Sequence, residues 1–170
     1  MLEIDYYLLK RPLTGLDNEC GDTGIIKTYG NKCFLALIDV LGHGREAYDV
    51  SVLAEKYLLE NYRRDLIDIM NGLHSHLKGT RGAVVALCRL NLINGGMNYV
   101  GVGNITTRIF GSEFLTLIPR DGIVGYTIAA PKEHQVTVCP GDILILYSDG
   151  VKEHFDLAHH NYLLNGTARK

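Results

Sequence analysis

Three aspartates, Asp22, Asp39 and Asp149, occupy positions that are typical of a functional site. Asp39 ends the apolar run Leu35–Ile38, Asp149 comes soon after the run Ile143–Tyr147, and Asp22 precedes a predicted strand. A carboxylate at the rim of a hydrophobic sheet is costly unless a cation or hydrogen bonds compensate its charge. Mg²⁺ and Mn²⁺ prefer a few carboxylates, carbonyl oxygens and water as ligands. Three converging aspartates and one backbone carbonyl would therefore suit a divalent cation.

Each aspartate also has a plain structural explanation. Asp149-Gly150 is a common turn dipeptide, and Asp39 comes shortly before a predicted helix, where an aspartate can act as a cap. This explanation would suffice for any one of them. Three acidic residues, each at or beside an apolar strand, favour the metal site instead.

In the first half of the chain, the predicted elements that position these residues are three strands and two helices. Ile4–Leu9 and Gly24–Tyr29 are rich in β-forming residues, and Cys33–Ile38 is a continuous apolar strand. Apolar residues then recur at three- and four-residue spacing between Ala47 and Leu58, which predicts a helix with one buried face. A second helix is predicted over Leu66–Leu77, with Asp65 as its N-cap and Gly79 as its stop.

The rest of the chain predicts strands and turns. The predicted strands are Ala83–Leu92, Met97–Val102, Thr106–Gly111, Phe114–Ile118, His134–Val138 and Ile143–Tyr147, with a hairpin turn at Asn94-Gly95-Gly96. A longer connection runs from Arg120 to Lys132, and its loop Asp121–Lys132 is expected at the edge of the site. About nine strands with two helices inserted early predict an α+β fold. Its layers would be α/β/β/α, a sandwich of two mainly antiparallel sheets flanked by helices.

Composition excludes several classes of protein. The chain has 170 residues, of which 46% are hydrophobic and 21% charged, so we expect one globular domain over residues 1–170. A net charge of −2 gives no basic surplus for nucleic acid. No apolar run is long enough for a membrane span, and the first residues lack a signal-peptide pattern, so we expect a cytoplasmic protein. The four cysteines form no CxxC pair, which argues against structural zinc.

Four motifs, in this order, resemble those of the PPM-type metal-dependent serine/threonine phosphatases. They are Gly21-Asp22, Asp39-Val40-Leu41-Gly42-His43-Gly44, Gly101-Val102-Gly103-Asn104 and Pro140-Gly141-Asp142-Ile143-Leu144-Ile145-Leu146-Tyr147-Ser148-Asp149-Gly150-Val151. The resemblance covers residues 15 to 152 and is strongest to the bacterial SpoIIE-like branch. The last motif is long and specific, whereas Gly-Asp alone would be weak.

The resemblance implies a pair of Mn²⁺ or Mg²⁺ ions between two sheets. It implies that Asp39 bridges both ions, that the carbonyl of Val40 helps to hold one, and that Asp149 holds the other. Asp22 would act at the first acidic position, through metal-bound water. The implied reaction is hydrolysis of phosphoserine or phosphothreonine on a protein, by a metal-activated water that attacks phosphorus in line.

Two departures from the family pattern stand out. Val40 replaces the glycine that often follows the bridging aspartate, although a carbonyl is still available there. The family also ends in a further strand with an Asp-Asp pair, and the sequence reaches Lys170 before any such pair. We therefore expect that the last helix and strand of the domain lie beyond Lys170. The alternative is an incomplete second metal site.

Arg45 and His43 are the candidate substrate-binding residues. Arg45 opens the first helix, where backbone N–H groups and a guanidinium could face a phosphate. His43 lies in the glycine-rich loop and could donate a proton to the leaving oxygen. Both have alternatives, a solvated arginine and a loop histidine without a role. Arg81 has the same standing as Arg45, and Asn104 is interpreted as a hairpin residue.

The leading hypothesis is an active, metal-dependent phosphoprotein phosphatase. By resemblance, its substrate would be a phosphorylated regulatory protein with a STAS-type domain in a stressosome. A second hypothesis is a catalytically weak or inactive module of the same fold that docks a phosphoprotein, motivated by the missing last acidic motif. A third, a small-molecule phosphoesterase, would need a deep and closed pocket.

Overall fold

The computed structural model describes residues 2–11, 19–111, 113–151 and 167–168, and the fold is α+β. In chain order the elements are β1 (Asp22–Tyr29), β2 (Lys32–Val40), α1 (Arg45–Asn61), α2 (Leu66–His76), β3 (Ala83–Asn91), β4 (Gly96–Val102), β5 (Thr106–Phe110), β6 (Leu115–Leu117), β7 (Gly122–Ile123), β8 (Thr127–Ile128), β9 (His134–Thr137) and β10 (Ile143–Tyr147).

The larger sheet has the strand order β1-β2-β3-β4-β9, and every neighbouring pair is antiparallel. Its central strands are covered on both faces, because a separate hydrophobic core lies on each side. This explains why β2 and β3 are continuous apolar runs and do not alternate with polar residues. Cys33 and Cys88 lie in these strands as buried free thiols.

The two helices cover one face of the larger sheet. Helix α1 buries Ala47, Ala54 and Leu58, the small and branched residues of its predicted apolar face. Helix α2 begins after Asp65, which occupies the predicted N-cap position. The chain then turns at Gly79, whose φ of 81° favours glycine.

A smaller sheet, with the order β10-β5-β6, packs on the opposite face. Alternate residues of β10, Leu144 and Leu146, join the core between the sheets. The described residues therefore form three layers: helices, larger sheet and smaller sheet. This confirms the α+β class and the antiparallel sheets. Both helices of the described residues lie on the larger sheet, so the predicted helix layer outside the smaller sheet stays a prediction.

The predicted strand over Ile4–Leu9 is wrong, because these residues form no strand. The segment instead lies along β1 through side-chain contacts. The Lys10 Nζ donates to the Thr23 Oγ1 at 3.0 Å, and that hydroxyl donates to Glu55 of α1 at 2.7 Å. Leu8 occupies the space beside Gly24. β-forming composition therefore did not lead to backbone pairing here, and most of the large apolar side chains of this segment are exposed.

The connection between β6 and β9 contains a small hairpin, β7–β8, that the sequence did not resolve into strands. Its buried residue Val124 exchanges two backbone hydrogen bonds with Ala83, at 2.8 and 2.9 Å. The Gly125 N–H also donates to the His74 Nδ1 at 3.1 Å. The hairpin is thus fixed against β3 and α2.

Within the part of the chain that the structure describes, no helix is both long and apolar enough to cross a membrane.

Candidate metal and phosphate site

Asp22 and Asp39 face each other across β1 and β2. They are register partners, and the next pair along, Gly21 and Val40, is hydrogen-bonded through the Val40 N–H at 3.4 Å. Pairs alternate along an antiparallel ladder, so Asp22 and Asp39 form a non-hydrogen-bonded pair, whose side chains approach more closely. The hairpin register thus places two carboxylates side by side at the edge of the larger sheet.

The electrostatics of this pair show that negative charge is concentrated there. The pKa of Asp39 is raised from 3.8 to about 7, first by burial, then by the charge of Asp22 and a hydrogen bond with it, and last by the charge of Asp149. Burial and like charges both disfavour ionisation. Asp39 therefore lies in the field of both other predicted aspartates.

Asp149 reaches the site from the smaller sheet, just beyond the end of β10. It is exposed, and it lines the same cavity as Asp22 and Asp39. Over residues 2–11, 19–111, 113–151 and 167–168, no three histidine, cysteine, aspartate or glutamate side chains are grouped closely enough to hold a metal ion. The fold thus brings the three predicted aspartates to one cavity without closing them into a set of ligands.

The Val40 carbonyl belongs to the same corner. A side-chain carbon at Gly21 would lie 3.4 Å from this oxygen and 3.1 Å from the Ala47 Cβ, so glycine is what allows the two strands and α1 to approach. The following loop turns through Gly42, whose φ of 88° favours glycine. Two carboxylates and a carbonyl are the oxygen donors that Mg²⁺ and Mn²⁺ take, with water completing the set. The donor set therefore fits such a cation.

The cavity has a volume of about 850 Å³ and opens where the two sheets meet. Its walls are formed by residues 19–22, 39–44, 103–104, 121–123 and 149–150, together with Arg11 and Val84. The connection after Arg120 lies at its edge, as expected from the sequence. Asn104, interpreted as a hairpin residue, also lines it.

The two candidate substrate-binding residues differ in their placement. His43 is exposed and lines the cavity. Arg45 does not line it: its guanidinium pairs with Asp49 at 3.0 Å and with Glu19 at 3.4 Å. Arg81 likewise pairs with Glu46. Both arginines are thus already matched by carboxylates, and their role in binding phosphate stays a prediction.

Arg11 was not among the sequence candidates, yet it lines the cavity. In the described part of the chain it makes no ion pair with a carboxylate, unlike Arg45 and Arg81. No motif surrounds it, and it lies 11 positions before Asp22, so only the three-dimensional arrangement shows it. Arg11 is therefore a better placed cation for a phosphate than Arg45.

A family comparison matches residues 29–166 to the model for Stage II sporulation protein E (SpoIIE). This is well over half of the chain. The protein belongs to the SpoIIE family. The matched region includes Asp39, Val40 and Asp149 but begins after Asp22, so the role of Asp22 depends on geometry and not on this match.

Individual relatives agree with the family assignment. The chain is 29% identical to the phosphoserine phosphatase RsbX of Bacillus subtilis (strain 168) over 136 residues, which is 78% of this chain and 67% of the relative. A chain solved in a study of the bacterial stressosome, a modular system that has been adapted to control secondary messenger signaling, is 33% identical, with a TM-score of 0.80. That match covers 88% of this chain and 79% of the other.

The fold is also that of RsbX solved in complex with magnesium. The TM-score is 0.80 at 23% identity, with 96% of this chain and 80% of that chain covered. A likeness at this level of identity concerns the fold alone. It agrees with the two packed antiparallel sheets described above.

Proposed function

We propose that this SpoIIE-family protein hydrolyses phosphoserine or phosphothreonine on a regulatory partner protein. A divalent cation would be held in the cavity that Asp22, Asp39 and Asp149 line, which we call the aspartate cavity. The enzyme class is that of the family: the chain is a protein serine/threonine phosphatase. The observation that carries the metal site is the side-by-side pairing of Asp22 and Asp39 in one cavity with Asp149.

The residues that would hold Mn²⁺ or Mg²⁺ are Asp22, Asp39 and Asp149, with the Val40 carbonyl. The family resemblance leads us to propose two ions, with Asp39 serving both. A bound divalent ion in such a site neutralises phosphate oxygens and lowers the pKa of a coordinated water. Burial, and after it the neighbouring carboxylates, raise the pKa of Asp39, and a bound cation would offset both costs of its ionised form.

The remaining residues of the cavity receive the substrate. Arg11 provides a positive group in the cavity that the three aspartates line, where it would bind and orient the phosphate through charge-assisted hydrogen bonds. His43 remains the proposed proton donor to the leaving oxygen, because it is exposed within the cavity. The exposed positions of Asp149 and Asn104 leave the site open to a phosphorylated side chain on a protein.

The proposed partner is a phosphorylated regulatory protein with a STAS-type domain, as in a stressosome. Support comes from the 33% identity to the chain from the stressosome study and from the likeness to RsbX. The open cavity favours a protein substrate over the small-molecule phosphoesterase hypothesis, which required a deep and closed pocket.

A second candidate function is a docking module that binds a phosphoprotein without hydrolysing it. The observation in its favour is that no three potential metal ligands are closely grouped within the described residues. On this hypothesis the cavity would bind phosphate through Arg11 and would hold a divalent ion weakly or not at all.

Metal-dependent phosphate release tests the proposed function. With a phosphoserine peptide or an aryl phosphate as substrate, we expect turnover that requires added Mn²⁺ or Mg²⁺. Excess chelator should remove it, and restored metal should return it. Turnover that survives the chelator would contradict the metal-dependent mechanism, while phosphopeptide binding without turnover at any metal concentration would favour the docking module.

Arg11→Ala should raise the KM for the phosphorylated substrate about ten- to a hundredfold, because a hydrogen bond to a charged group contributes ~1.5–3 kcal/mol. The kcat should change little, since the aspartates remain. Arg63→Ala, which removes an arginine that lies over Tyr29 and Tyr62, is the matched control. Steady-state kinetics would contradict the role of Arg11 if both variants shifted KM equally.

A further inference from the structure

A hydrogen bond between the two sheets ends on Asp22, one of the carboxylates that line the aspartate cavity. The Ser148 hydroxyl donates to the Asp22 Oδ2 at 3.1 Å, joining residues 126 positions apart. Ser148 follows β10 of the smaller sheet, and Asp22 opens β1 of the larger sheet. The bond therefore links the edges of the two sheets at the place where the carboxylates meet.

The alternation of side chains along a strand explains why Ser148 points towards the space between the two sheets. Leu144 and Leu146 of β10 face the core between the sheets, and Ser148 continues the same two-residue period. Ser148 is also the residue directly before Asp149. Its hydroxyl thus ties the end of β10 to Asp22 of β1, directly before Asp149 in the chain.

The chemistry of this donor suits a cation site. Asp22 lies beside Asp39, and when both carboxylates are ionised, as metal ligands must be, their repulsion favours rotation of one away from the other. A hydroxyl donor holds Asp22 in place without adding a positive charge. A lysine or arginine at this position would also hold it, but it would neutralise the carboxylate and compete with a divalent ion.

We propose that Ser148 is a positioning residue for the metal site. Its hydroxyl orients the Asp22 carboxylate towards Asp39 and sets the spacing between this pair and Asp149 across the two sheets. The inference rests on the proposed function, because it concerns the same cation, and it adds a residue outside the ligand set.

The test is calorimetric titration of the full chain with Mg²⁺ and with Mn²⁺, without substrate. Ser148→Ala should weaken divalent affinity about ten- to a hundredfold, the range typical of residues that orient metal ligands. Ser148→Thr keeps the hydroxyl and should retain most of the affinity. Ser75→Ala removes a hydroxyl that bonds the Asn71 carbonyl on α2, and it should leave affinity unchanged.

A kinetic readout separates positioning from general loosening of the fold. Phosphate release by Ser148→Ala should need a higher metal concentration for half-activation and should approach the wild-type kcat at saturating metal. Equal affinities for wild type and Ser148→Ala would overturn the proposal, as would equal losses in the alanine and threonine variants. If the wild-type protein itself bound no divalent ion, the proposed function would fail first, so the two failures are distinguishable.

Discussion

Asp39→Asn should lower metal-dependent phosphate release by about a thousandfold or more, since a metal ion contributes several kcal/mol to the transition state and 1.36 kcal/mol is tenfold in rate. Asp39 is the aspartate that faces both others: it is the register partner of Asp22 and lies in the field of Asp149. An amide keeps the shape but removes the charge that attracts a cation. The measurement is the initial rate at several metal concentrations.

Asp65→Asn is the matched control, because asparagine is as good an N-cap as aspartate and Asp65 is the N-cap residue of α2. Its turnover should equal that of the wild type. A loss in Asp39→Asn that was no larger than in this control would exclude Asp39 from the site.

The pH dependence of stability checks that Asp39→Asn is folded. In the metal-free wild type, the folded state holds the Asp39 proton up to about pH 7, against an ordinary value of 3.8. The stability contributed by that proton is complete below pH 3.8 and is lost as pH rises to about 7. Asparagine cannot ionise, so urea unfolding in the presence of chelator should show a flatter profile for the variant, with no deficit at pH 8.

The strands and helices that depend on a local pattern of apolar residues could be predicted from the sequence. The apolar run Cys33–Ile38 lies within β2, which is covered on both faces. The run Ile143–Tyr147 coincides with β10, which packs in the core between the sheets. The predicted faces of both helices are the buried ones. The convergence of the aspartates followed from their positions at strand ends, where the two sheets bring their edges together.

What the sequence could not show depends on tertiary contacts between distant residues. Arg11 enters the cavity from a segment without regular structure, and the pairing of Ser148 with Asp22 spans 126 positions. The same limit explains the error over Ile4–Leu9, where Leu8 lies beside Gly24 of β1 but the segment does not join the ladder of that strand. Arg45 was interpreted from its place at a helix start, but its charge is matched by Asp49, one turn along α1.

These contacts also show how the site depends on both sheets. Asp22 and Asp39 come from one hairpin, so their relative position is fixed by its register. Asp149 comes from the smaller sheet, so its distance from the pair is set by packing in the core between the sheets and by the Ser148 hydroxyl. A substitution at Asp149 therefore tests whether the cavity acts as one site.

Asp149→Asn should weaken the binding of Mg²⁺ or Mn²⁺ by about a hundredfold, because carboxylates are the ligands that such hard cations prefer and an amide carries no charge. Asp149 is exposed and follows β10, so the variant should keep the wild-type unfolding free energy. Asp68→Asn makes the same change on the outer side of α2 and should bind the metal as the wild type does. Calorimetric titration of the three proteins gives the affinities.

This titration also decides between the two candidate functions. An active phosphatase requires at least one divalent site that Asp149→Asn weakens and Asp68→Asn does not. A docking module would show no such difference, yet it would still bind a phosphopeptide through Arg11. The two hypotheses share the fold, the cavity and the cation Arg11, and they differ in whether the carboxylate of the smaller sheet acts together with the pair on the larger one.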